Sequence, residues 1–216
     1  MGEFRIVGGD IALDLVNTVE PRIAGRAPER DHLGTPRALL RWAECAHLID
    51  APTREQVAAA WATEPGTALA ALEEVLQLRA AVGAAIDATR ERVEDATGAE
   101  ALHTVLQRAA AALTHATLVP DPDRRRPVRR LVGTRPASLV QDRLAVAALD
   151  LLQTADLNRV KTCPPEHGGC GWIFIDSSKN GSRRWCSMED CGTRVKSRRL
   201  TERRRTNRTR TEQSQD

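Results

Sequence analysis

Cys163-Pro-Pro-Glu-His-Gly-Gly-Cys170-Gly-Trp-Ile-Phe-Ile-Asp176, closed by Cys186-Ser-Met-Glu-Asp-Cys191, decides how the C-terminal part of this 216-residue chain folds. Four thiols fall within 29 residues, with six residues inside the first pair, fifteen between the pairs and four inside the second. Zinc takes four thiolates in a tetrahedron, commonly two from each of two loops, and Cys163, Cys170, Cys186 and Cys191 supply such a set. Gly171–Asp176 has a strand pattern, Ser177-Ser-Lys-Asn-Gly181 a turn pattern, and Arg183-Arg-Trp185 is expected to return as the second strand. The expectation is a zinc-clasped β-hairpin leading into a helix that begins near Cys191. A module this small buries little core, so the metal would hold it folded. Spacing alone leaves three alternatives open: His167 as a ligand in place of Cys163, an iron–sulfur cluster on the same cysteines, or a redox switch using thiols whose pKa is lowered by nearby cations.

Working downstream, nine cations between Arg194 and Arg210 meet one acid, Glu202. Residues 161–216 hold 13 Lys and Arg against 7 Asp and Glu, a net of +6, whereas residues 1–160 hold 19 against 22, a net of −3. This asymmetry points to an anionic partner for one end only. Arginine outnumbers lysine eight to one in the run, and its planar fork suits phosphate and guanine. Double-stranded DNA is the expected partner. Its candidate contacts are Arg194, Lys196, Arg198, Arg199, Arg203, Arg204 and Arg205 on the helix, with Arg183 and Arg184 on the hairpin. Residues 206–216, mostly Thr, Arg, Gln and Ser, have the composition of a disordered tail.

Upstream, the pattern is mainly helical. Phe4–Ile11 reads as a short strand and Ile11–Val19 as an apolar helix; residues 20–34, rich in Pro, Gly and charge, read as a loop. Thr35-Pro36 starts a helix, and Thr53-Arg-Glu-Gln56 fits a capping box. Thr67 starts the longest helix, with Leu69, Leu72, Val75, Leu76, Val82 and Ile86 at helical spacing. Thr97-Gly98 interrupts the pattern, and Leu102, Val105, Leu106, Ala109 and Leu113 mark another helix. Two strands, Thr114–Pro120 and Val128–Val132, flank a turn, and Ser138 is placed to cap a last helix running to Leu152. Cys45, in an apolar helix pattern, is expected to be a small core residue. The fold class is therefore mainly α: a helical domain with a small β-hairpin over 1–155, then a small zinc-bound hairpin plus helix over 160–205.

Composition narrows the setting. No uninterrupted apolar run approaches the length of a membrane span, and the N-terminus lacks the charge and apolar pattern of a signal peptide. A cytoplasmic, thiol-reducing compartment is expected. There is no nucleophile motif, phosphate loop, HExxH or carboxylate cluster, so an enzyme is not expected.

The segment Cys170-Gly-Trp-Ile-Phe-Ile-Asp176, Ser178-Lys-Asn-Gly-Ser-Arg-Arg-Trp-Cys-Ser-Met188 and Cys191-Gly-Thr-Arg194 resembles the CGNR zinc-finger family. The resemblance implies that Cys163, Cys170, Cys186 and Cys191 hold one structural Zn2+. Thr193 replaces the Asn of the family motif, keeping a hydrogen-bonding side chain but losing the amide. Ile11-Ala-Leu-Asp-Leu-Val-Asn-Thr18 and Trp42 resemble the ABATE domain that commonly precedes this finger. Together they imply a bacterial, stress-linked transcription regulator. An RNA-binding protein and a nucleic-acid-targeted enzyme are the competing readings. Asp14, Asn17, Thr18 and His32 are candidates for binding a small-molecule effector, with capping of buried backbone as the alternative. A homodimer on two half-sites is compatible with a DNA reader.

Overall fold

The structure, a computed structural model, describes residues 4–23, 25–92, 95–120, 128–130, 135–198 and 201. Helix α1 (Ile11–Val16) starts at Asp10, whose carboxylate accepts the Ala12 N–H, and every residue of it but Ile11 is buried. A hairpin of two-residue strands follows, β1 (Val19–Glu20) against β2 (Arg30–Asp31); Val19, read from sequence as the end of the helix, starts it, and the rest falls in the segment read as loop. Arg79 grips Asp31 through both guanidinium nitrogens at 2.8 and 2.7 Å, tying this hairpin to the long helix.

Helices α2 (Pro36–Cys45), α3 (Ala51–Thr63), α4 (Thr67–Glu91) and α5 (Ala96–Leu113) come next. Thr35 caps α2 by accepting the Ala38 N–H, as its sequence position suggests. Helix α3 begins two residues before Thr53, because Asp50 accepts the Thr53 N–H and Pro52 occupies the first turn. Asp95 caps α5 through the Gly98 N–H, so Thr97-Gly98 lies within the first turn rather than breaking a helix. Strands β3 (Thr117–Val119) and β4 (Val128–Arg130) pair antiparallel. Helix α6 (Leu139–Thr154) follows a single 3-10 turn; the Ser138 hydroxyl binds the Asp142 carboxylate and does not cap the backbone.

Helices α4, α5 and α6 pack on one another, with α1 laid against α4 and α6. On α5 the buried positions are Gly98, Ala101, Val105, Ala109 and Ala112, whereas Leu102 and Leu106 are 44% and 52% exposed. The small residues face inward because they let neighbouring helices approach closely. Leu69, at 66% exposed, also lies outside the core, as does the exposed Cys45. Phe4–Ile11 forms no strand.

The last strand pair departs most from expectation. Ile173–Ile175 (β6) pairs with Val160–Thr162 (β5), upstream of the first cysteine, and not with Arg183–Trp185. Alternation along β6 explains this. Ile173 and Ile175 point into the core of the helices, while Trp172 and Phe174 point into a second core made with the cysteines. Val160 joins the helical core from β5. The hairpin is thus a wall with one face in each core.

Candidate metal centre and nucleic-acid interface

Cys163, Cys170, Cys186 and Cys191 are buried, and their sulfurs all lie within 4.8 Å of one another. Cys170 Sγ is 3.5 Å from Cys186 Sγ, which is 3.7 Å from Cys191 Sγ. A disulfide requires about 2.05 Å, so these are free thiols. Bonds of about 2.3 Å from one zinc to four sulfurs give a tetrahedral edge of about 3.8 Å. The sulfur set therefore fits one ion and is too tight for a multi-iron cluster. His167 lies outside it, 40% exposed at the side chain and facing Glu166. Four protein ligands leave no open position for water, so the site suits one structural Zn2+ and no hydrolytic role.

The thiols perturb one another as crowding dictates. Hydrogen bonding, first with Cys170, holds the Cys163 thiol down at about 6. Hydrogen bonds from the other three thiols, Cys163 first, hold Cys191 well below the usual range, while Cys170 and Cys186 are held up. Four thiolates around a divalent ion carry a net charge of about −2, which nearby donors relieve. Among the described residues two guanidinium groups serve: Arg194 Nη2 at 3.2 Å from Cys191 Sγ and Arg5 Nη2 at 3.7 Å from Cys186 Sγ.

Local chemistry explains the loop between the pairs. Asp176, fully buried, accepts from Lys161 Nζ at 2.6 Å, from both the N–H and hydroxyl of Ser178, and from the Arg183 N–H. These bonds, Lys161 foremost, hold its carboxyl well below the usual range. The Arg183 guanidinium lies over Phe174 at 4.4 Å and donates to the carbonyls of Val7, Ile175, Trp185 and Cys186. Arg183 is therefore a clamp inside the module, which is why its segment is not a strand.

The second cysteine pair sits at a helix start. Met188–Gly192 forms a π turn, and residues 193–198 continue as α-helix. Val195 is buried in the cysteine core, while Arg194, Lys196 and Arg198 are exposed positions. Arg184 is also exposed, with its guanidinium 5.6 Å from the Trp185 ring. Thr193 donates its hydroxyl to the Met188 carbonyl at 3.0 Å. Arg199, Arg203, Arg204, Arg205 and the 206–216 tail lie outside the described residues.

The finger is joined to the helices in part by Asn17, a side chain the sequence offered as a ligand contact. Asn17 donates Nδ2–H to the Ile173 carbonyl at 2.8 Å and accepts the Ile173 N–H at 2.9 Å. Trp172 Nε1–H donates to the Val19 carbonyl, the Arg22 N–H to Cys170, and the Ile175 N–H to Gly8. Gly171, at φ +78°, is pressed so close that a Cβ there would lie 1.7 Å from the Arg22 carbonyl oxygen. Thr18 donates to the Leu15 carbonyl and accepts from Arg79. Asp14 accepts the N–H groups of Val7 and Gly8, yet burial pushes its carboxyl up to about 6.

Asp14, Asn17, Thr18 and His32 nevertheless share one cavity of about 500 Å³, whose other wall includes Trp172, Asp190 and Arg194. Sequence reading missed Arg5, which lies over Trp172 at 4.5 Å and pairs with Asp190 at 3.1 Å. Its sulfur partner is 181 positions away, so no local signal could have found it.

No described helix is long and apolar enough to cross a membrane. No curated protein matches the chain. Residues 159–204 match the family described as "CGNR zinc finger". Residues 9–155 match ABATE, described as "Putative stress-induced transcription regulator". The chain belongs to the ABATE family and carries a CGNR zinc finger over residues 159–204.

Proposed function

We propose that the protein regulates transcription by binding double-stranded DNA through the zinc module, with the helical domain receiving a chemical signal. The observation that carries this reading is a closed four-thiolate centre at the foot of a helix that exposes Arg194, Lys196 and Arg198, beside Arg184. Arg194 and Arg198 lie four residues apart and share a face. Arg194 also bonds a metal-ligand sulfur, so it ties the reading face to the centre. The later arginines, Arg199, Arg203, Arg204 and Arg205, extend the same run. Arg183 is left out of the contacts because its guanidinium is taken up by internal carbonyls.

The aromatic residues argue against RNA recognition by base stacking: Trp172, Phe174 and Trp185 are 2%, 0% and 8% exposed. Fluorescence anisotropy over a salt series tests the proposal. Neutralising roughly five phosphates gives a slope of log K against log salt of about −4 to −5, and Lys196→Ala with Arg198→Ala lowers its magnitude by about 2. Affinity that ignores salt, or tighter binding to structured RNA than to duplex at matched salt, refutes it.

A further inference from the structure

The cavity between α1 and the turn that carries Cys191 is more than a seam. It holds about 500 Å³ and is walled partly by Phe4, His32 and Trp42, a size and lining typical of small-ligand sites. Arg5 reaches into its lining with one defect: its Nε–H is buried and has no acceptor. A buried guanidinium N–H without a partner is costly, so Arg5 is not fully satisfied where it stands, and turning its fork from Asp190 to an incoming carboxylate gains the missing bond. Acids share the lining. Asp14, Glu20 and Glu189 stand on the same walls as the cations Arg30 and Arg194, and Asp190 already takes Arg5 Nη2, so four acids face three guanidinium groups. Such a site repels a doubly charged phosphate and tolerates a single carboxylate. Phe4 and His32, the partly exposed rings of the lining, favour a flat ring behind it.

Building on the regulator reading above, we propose that this cavity is the effector site and that it takes a small aromatic monocarboxylate, its carboxylate on Arg5. The ligand competes with Asp190 for the same guanidinium. Asp190 lies on the π turn Met188–Gly192, directly before the helix that carries Arg194, Lys196 and Arg198. Binding therefore loosens the tie between the N-terminal segment and the start of the DNA-reading helix, and it adds negative charge beside that helix. Both effects weaken DNA binding.

The test begins without DNA. Zinc-replete full-length protein is titrated calorimetrically with benzoate and indole-3-acetate, with their neutral amides and with inorganic phosphate. The carboxylates bind saturably with Kd below about 1 mM, at least about tenfold tighter than the amides or phosphate. Arg5→Gln abolishes this binding. Asp190→Asn strengthens it severalfold by removing the internal competitor, a gain that a merely structural Arg5–Asp190 pair does not produce. Zinc content of one per chain verifies that each variant is folded. Equal affinity for acids and amides, no binding of either acid, or no gain in Asp190→Asn overturns the site.

The second arm measures DNA affinity with saturating carboxylate, expected to fall about fivefold or more. Salt-dependent DNA binding that bound carboxylate leaves unmoved overturns the coupling and leaves the DNA reading standing. Loss of DNA binding in every condition sinks that reading and leaves the first arm to decide the cavity.

Discussion

Replacing Asn17 with Ala isolates the tie between the two halves. One edge of β6 is paired with β5, and the other presents the N–H and C=O of Ile173 to Asn17, whose amide answers both, like a one-residue piece of strand. Asn17 is 2% exposed and Ile173 0%, so water does not replace the lost bonds without opening the interface. A buried backbone group left unpaired costs about 1–3 kcal/mol, so two such groups cost about 2–6 kcal/mol, and about 4 kcal/mol is the working expectation. Asn17→Asp should be no better: it accepts the N–H but sets a buried charge against a carbonyl oxygen. Urea unfolding in excess zinc, followed by tryptophan fluorescence, reads the loss, because Trp172 lies in the shared wall. Zinc content separates a loosened interface from a lost metal. Stability within about 1 kcal/mol of the parent would refute the argument and return Asn17 to the role of ligand contact.

Three further outcomes are expected. Gly171→Ala puts a Cβ 1.7 Å from the Arg22 carbonyl oxygen at a residue with φ +78°, and the displacement of that loop should cost about 3 kcal/mol or more in the same urea assay. With metal bound, Cys45, the exposed cysteine, should react fast with Ellman's reagent, and the four buried ones slowly; a strong chelator should make all five fast and remove near-ultraviolet circular dichroism from the finger. Asp14 has a folded pKa of about 6, raised by burial. The fold therefore binds this proton better than the unfolded chain, so the stability Asp14 contributes is full below the unfolded pKa of about 4 and is lost as pH rises through about 6. The loss is at most about 3 kcal/mol, and Asp14→Asn should flatten that part of the pH profile.

The metal centre was legible because four cysteines in two loops encode a ligand set whatever the surrounding fold. Caps were legible where one residue decided them, as at Thr35. They were misread where two candidates competed, as when Asp50 displaced Thr53. The inward face of α5 was misread because the rule that leucine is buried yields to close packing by Ala101, Ala109 and Ala112. The partner of β6 was hidden for another reason. Val160-Lys-Thr162 is joined to Ile173 by no tight hairpin turn; the connection is the first cysteine loop itself, with its own 3-10 turn at Pro165–His167. Asp14, Asn17 and Thr18 stood out as polar residues in an apolar run, but the sequence did not show that Asn17 faces a strand edge 156 residues away.

That strand edge bears on how a signal would travel. A zinc finger on a free linker would feel events in its neighbouring domain only through altered tethering. Here β6 alternates sides residue by residue, Ile173 in the helical core and Phe174 beside the cysteines, so a shift of the strand disturbs both cores at once. Well-packed interiors resist continuous deformation and move between discrete arrangements. The finger therefore has few ways to reorient by itself. The softer route is the turn carrying Cys191, held from the far side by Arg5 through Asp190 and attached to the helix of Arg194, Lys196 and Arg198 at its first residue. Regulation in this protein should then work by tilting or releasing that helix while the hairpin stays fixed. Zinc loss should do more, since it dissolves one of the two cores that hold the hairpin wall.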